Sequence, residues 1–240
     1  MIKNPIRLLF PSALVLAASV CHAQDVRPVE CRFLSFGSSA EVKSAFAVTD
    51  KGEPIEVPLS TSQLSKKIVC QAKDGKIAFV TATDRKPMTT ATIPSGVNSA
   101  LVVFVRFPVK GEAKPADNAG WRTYVIDDSP KSFPDGGAYV ANFFTGDIRF
   151  IIGEHKGMLK AGMAHGYAMP KERDDFNMAP VIFEFNSGDK WRTANESSLR
   201  FLPGMRYLIF GYVDPASGRP KVNTYQDFAQ PKAAEAAATP

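Results

Sequence analysis

Histidine is scarce among the side chains able to do covalent chemistry: the 240-residue chain has three, His22, His155 and His165. A general base that titrates near neutral pH is therefore in short supply. His155 and His165 stand ten residues apart, which suits no common zinc spacing. Two strands of one hairpin would nonetheless join them, with Glu154 as a third ligand. The plainer reading makes them surface imidazoles beside turns at Gly153 and Gly166. There is no Gly-x-Ser-x-Gly elbow, no Gly-x-x-x-x-Gly-Lys phosphate loop and no dinucleotide fingerprint. The sequence implies no assembled catalytic set, no metal and no cofactor.

Paired carboxylates are the remaining route to an enzyme, because glycoside hydrolysis needs two acids about 5–10 Å apart, one of them kept protonated. Asp127-Asp128 and Asp174-Asp175 are adjacent in sequence, but neighbours on a strand point to opposite faces, so adjacency makes no dyad. Glu184 lies between Phe183 and Phe185, as an outward position on a half-buried sheet would. Trp121 and Trp191 are the binding candidates, since an exposed indole stacks on a sugar ring or anchors a protein interface. Each follows a turn-like segment and sits beside an arginine. The competing reading buries each indole at the end of a strand. Met158, Met163, Met169 and Met178 cluster with Tyr167 and Phe176, where a soft-metal site competes with the filling of an irregular core.

The first residues bear on where this chemistry would take place. Lys3 and Arg7 precede thirteen uncharged residues, 8–20, a stretch shorter than the roughly 20 residues of a membrane-crossing helix and of signal-peptide design. Small residues at Cys21 and Ala23 place the cleavage between Ala23 and Gln24. A lipid-modified Cys21 is the rival reading, although Val20 stands where such sites take a small residue. The mature chain is thus expected to be periplasmic or secreted, with no transmembrane segment. Of 29 basic and 24 acidic side chains, two basic ones leave with the leader. The remaining surplus of about +3 has no basic run longer than Lys66-Lys67, which argues against nucleic acid as a partner. Cys31 and Cys70 remain as an even pair in an oxidising compartment, and a disulfide is the simplest assignment. Two buried free thiols are the alternative.

Seventeen Gly and 18 Pro punctuate short apolar blocks, the period of strands and not of helices. Strands are expected at 29–36, 43–48, 67–71, 76–82, 99–107, 122–127, 138–144, 147–152, 179–185, 205–213 and 221–225. The Asp74-Gly75 and Thr145-Gly146 pairs each signal a tight hairpin. Both faces are apolar in 101–107 and in 206–212, so each of these strands is expected to be covered on both sides. The fold class is all-β: an antiparallel β-sandwich, immunoglobulin-like or related, as one large unit or two small ones. Its region is 24–226 after a signal peptide at 1–23, with a boundary at 110–120 if there are two units, and with a disordered tail at 227–240. Trp121-Arg122-Thr123 recurs as Trp191-Arg192-Thr193, too little to establish a repeat.

The run Phe133-Pro134-Asp135-Gly136-Gly137-Ala138-Tyr139-Val140-Ala141-Asn142, then 147–153, then Leu159-Lys160-Ala161-Gly162, resembles uncharacterised secreted bacterial β-sandwich proteins of unknown function. Ala161 stands where their turn carries Pro. The resemblance implies an architecture and a compartment, and it supplies no functional residues. The leading expectation is a non-catalytic extracytoplasmic β-sandwich protein that binds or supports an envelope protein or glycan. The alternative is a carbohydrate-active hydrolase with carboxylates drawn from separate strands.

Overall fold

The computed structural model describes residues 25–36, 42–50, 52–107, 120–188, 190–214 and 217–228. The leader expected at 1–23, the cleavage site expected between Ala23 and Gln24, and residues 229–240 lie outside them. Every regular element among the described residues is a strand.

An N-terminal sandwich forms from one sheet bent in two. Its inner layer has the order β4 (Ile68–Lys73), β1 (Val26–Phe36), β7 (Ser99–Arg106), β8 (Trp121–Asp127). Its outer layer has the order β3 (Ile55–Pro58), β2 (Ser44–Ala47), β5 (Lys76–Thr81), β6 (Pro87–Thr92). The layers join at the β4–β5 hairpin, where Lys73 faces Lys76 and the strands then part. Asp74 and Gly75 both have positive φ, 48° and 70°, the geometry that a two-residue hairpin requires. Between the layers, Phe79 meets Phe33 and Phe104 edge to face at 6.0 and 4.9 Å.

A C-terminal sandwich follows. Its inner layer runs β12 (Ala164–Tyr167), β9 (Ala138–Asn142), β15 (Met205–Val213), β16 (Pro220–Phe228). Its outer layer runs β11 (His155–Leu159), β10 (Ile148–Ile152), β13 (Met178–Ser187), β14 (Lys190–Arg200). Val140, Tyr207 and Ile209 from the first layer pack on Phe150, Phe183 and Phe185 from the second.

The two sandwiches have the same topology. In each, the first strand is antiparallel to the fourth and parallel to the seventh, and the seventh is antiparallel to the eighth. In each, the second strand pairs antiparallel with the third and fifth, and the fifth with the sixth. The inner layers pack on one another: Leu34, Leu101, Val103 and Ile126 meet Ala141, Leu208, Phe210 and Tyr225 in a third core. This third core explains why 101–107 and 206–212 are apolar on both faces: each lines its own sandwich on one side and the inter-sandwich core on the other.

Several expectations are corrected here. The boundary expected at 110–120 falls almost wholly outside the described residues; β7 and β8, on either side of it, pair antiparallel in one layer. Thr145-Gly146 does not close a hairpin: β9 and β10 lie in different layers, because the chain changes sheets there. Residues 227 and 228 are not tail but the end of β16. The Trp-Arg-Thr recurrence does not mark the shared topology, since the first copy begins β8 and the second lies in β14, and the counterpart of β8 is β16.

The segment that joins the sandwiches is tightly held. The Asp127 carboxylate accepts bonds from the Ser129 N–H and from the Ser129 and Ser132 hydroxyls. Burial pushes this carboxyl up, but those hydrogen bonds outweigh it and leave it below its usual range. Farther on, Gly136 has φ +69°, and a Cβ on Gly137 would lie 2.1 Å from the Tyr167 carbonyl oxygen. Only glycine fits that approach.

Candidate functional site

Two places in the fold gather polar or aromatic side chains in a way that packing alone does not require. The first is buried between the sandwiches. Arg32 on β1 donates Nε and Nη2 to Asp128, at 3.2 and 3.0 Å. Its Nη1 and Nη2 reach Asp227 on β16, at 2.6 and 2.9 Å. Arg206 on β15 donates to both aspartates, with Nη2 at 2.9 Å from Asp128 and 2.6 Å from Asp227, and its Nη1 reaches the Phe133 carbonyl at 3.1 Å. The Phe133 ring lies 4.0 Å from the Arg206 guanidinium. Asp227 is 4% exposed and Arg32 5%. The ladder registers make Asp128 and Asp227 counterparts: Asp128 bonds to Ser99 just beyond Leu101↔Ile126, and Asp227 pairs with Arg206 just beyond Leu208↔Tyr225.

An open cavity of about 210 Å³ adjoins this cluster, lined in part by Arg32, Lys67, Asp128, Asp135 and Arg206. Two carboxylates therefore do converge, but each is gripped by both guanidiniums. Burial raises the Asp227 carboxyl, and Arg32 and Arg206 more than reverse this, holding it below the ordinary carboxylate range. Glycosidase chemistry needs one of the pair protonated, and here both arginines favour the charged form of Asp227. The arginines spend most of their donors on these aspartates and on Phe133. The cluster is built to clamp the two sandwiches together.

The second place is the solvent-facing side of the outer layer β11-β10-β13-β14. Alternation points Arg149 and Ile151 of β10, Ile182 and Glu184 of β13, and Lys156 and Met158 of β11 outward. Cross-strand register sets Ile151 between Lys156 and Ile182, and Arg149 between Met158 and Glu184. Trp191 on β14 stands opposite Asn186 on the same face. Arg149 bonds Glu184 through Nε and reaches over β13 to place its guanidinium 4.7 Å from the Trp191 ring centre. That contact holds the Glu184 carboxyl below its usual range. The register shifts between Phe183 and Glu184, a bulge in the β13–β14 pair beside this array. A shallow groove of about 350 Å³ runs across Arg149, Ile151, Lys156, Ile182 and Glu184. Met158, opposite Arg149 on the same face, is 55% exposed.

The binding candidates therefore part company. Trp191 is on the open face. Trp121 is not available: at 6% exposure it faces the N-terminal core, edge-on to Phe104 at 6.2 Å, because inward alternation at the start of β8 buries it. Glu184 points outward, as strand alternation required. His155 and His165 each lie against the Tyr167 ring, at 5.8 and 4.9 Å between centres. Glu154 spends its carboxylate on the Lys171 and Glu172 N–H groups. Asp174 accepts the Phe176 and Met178 N–H groups of its own turn.

Cys31 and Cys70 are both fully buried and are unbridged in this structure, where the sequence led to the expectation of a disulfide. Cys31 faces Ile68 and Cys70 faces Val29, so the two sit diagonally across β1 and β4 on the same inward side. Their thiols are hydrogen-bonded to each other, and that bond together with burial pushes the Cys31 thiol up. Among the described residues no helix is long and apolar enough to cross a membrane. No family model and no curated protein matches the chain.

Proposed function

We propose that this chain is a non-catalytic extracytoplasmic binding protein, and that its contact surface is the outer face of β11-β10-β13-β14. One observation carries the reading: Trp191 stands on an open sheet face, its ring oriented by Arg149, beside an apolar-floored groove. Aromatic and arginine side chains concentrated at one exposed patch are the usual anchors of recognition. The uncharged stretch of signal-peptide design at 8–20, behind Lys3 and Arg7, supports export. The hydrolase alternative draws nothing from the converging carboxylates, since Asp128 and Asp227 are both committed to arginines.

Co-sedimentation of the mature protein with envelope material from its source cell tests this. The wild type is expected to pellet with it, and Trp191→Ala to lose at least about tenfold in apparent affinity while its unfolding midpoint stays unchanged. Equal pelleting of the two proteins, or none by either, contradicts the proposal.

A further inference from the structure

We infer that the ligand of this face is an uncharged saccharide chain, an inference that rests on the binding reading above and specifies its partner class. The face is balanced in charge: Arg149 and Lys156 are set against Glu184 and Glu196, the last exposed opposite Ile182. A balanced face has no net attraction for nucleic acid or for a strongly acidic polymer. It does carry what a neutral polyol needs. Ile151 and Ile182 sit side by side and give the groove an apolar floor against which the C–H face of a sugar ring can lie. Trp191 adds an indole on the same side of the sheet, and indole bodies combine apolar area with little conformational freedom to lose.

The polar part of the site is already oriented. Arg149 uses Nε on Glu184, and both planar groups are held beside the groove. The two Nη groups of Arg149 are donors, and the second carboxylate oxygen of Glu184 is an acceptor, so the pair offers both halves of a bond to neighbouring hydroxyls. Trp191 on one side and Glu184 on the other restrict the guanidinium, which lowers the ordering cost on binding. The groove, at about 350 Å³, falls at the lower end of small-ligand sites. It is open along the sheet, as a chain passing across the strands requires.

Chemical treatment of the envelope material separates the possible ligands. One portion is digested with a broad protease and another is oxidised with periodate, which cleaves vicinal diols. Each is then used in sedimentation with the wild type and with Trp191→Ala and Arg149→Ala. The wild type is expected to be retained after protease and to lose at least about tenfold after periodate, with both variants weak throughout. Retention that survives periodate and disappears with protease overturns the saccharide while leaving a protein-binding role intact. Full retention of both variants overturns the assignment to this face. No retention of the wild type by untreated material overturns the binding reading itself.

Discussion

Asp227 ties the two sandwiches together: it accepts from Arg32 of one sandwich and Arg206 of the other while 4% exposed. Removing one partner of a buried ion pair leaves an uncompensated charge, a loss of about 3–5 kcal/mol. Asp227→Ala is therefore expected to lower stability by about that amount, read as a shift in the denaturant midpoint with little change in slope. A loss below about 1 kcal/mol would show that the clamp is not buried in solution. The same carboxylate gives a pH dependence. Its pKa is depressed in the folded protein, so its contribution is complete above the unfolded value of about 3.9 and is lost as pH falls through the folded value below it. Wild-type stability should therefore fall more steeply than that of Asp227→Asn below about pH 4. Parallel curves would contradict the assignment. None of this was legible along the chain. Arg32, Asp128, Arg206 and Asp227 come from four separate segments, and sequence reading paired Asp128 only with its neighbour Asp127 and gave Asp227 to the tail. Trp191 was visible as a candidate because indole chemistry shows in the residue type, but its separation from Trp121 required knowing which face each strand buries.

At the scale of elements, strands with a continuous apolar face were the readable ones, as in β7 and β15, where both faces are covered. Those missed were β3, β6, β11, β12 and β14, and the last four have a local reason. β6 starts at Pro87 and is rich in threonine; β11 and β12 contain Gly157 and Gly166; β14 is exposed along most of its length and so has no apolar alternation to detect. Thr145-Gly146 misled because a turn signal reports a local bend and not which sheet the next strand joins. Gly137 makes a sharper prediction. Its missing side chain lets the inter-sandwich segment lie against β12, so Gly137→Ala should cost about 1–3 kcal/mol or more through overpacking. Unchanged thermal unfolding would show that the segment can move aside. The β1–β4 pair makes another prediction. Protein matured in an oxidising compartment should yield no free thiol when denatured without reductant, and cytosolic protein should yield two. The bridged form is expected to be more stable by up to about 4 kcal/mol. Two titratable thiols in both preparations would show that contact between Cys31 and Cys70 does not lead to a bond.

For the whole molecule, the central fact is two sandwiches of one topology packed through corresponding faces, with corresponding aspartates in a shared clamp. The third core and the ion-pair ring bind these units too closely for independent behaviour, so thermal unfolding should be a single transition despite two separate inner cores. Two resolved transitions would contradict this. The arrangement also separates surfaces: inner layers are consumed by the interface, and in the proposed binding role the outer face of β11-β10-β13-β14 is the one left for contact. Hydroxyl-radical footprinting of the mature protein, with and without envelope material, tests that division most directly. Protection is predicted at Trp191, Met158, Ile151 and Ile182, with the clamp around Arg32 and Asp227 unchanged. Protection at the cavity beside Asp128 and Asp135, with the outer face of β11-β10-β13-β14 still fully labelled, would contradict it.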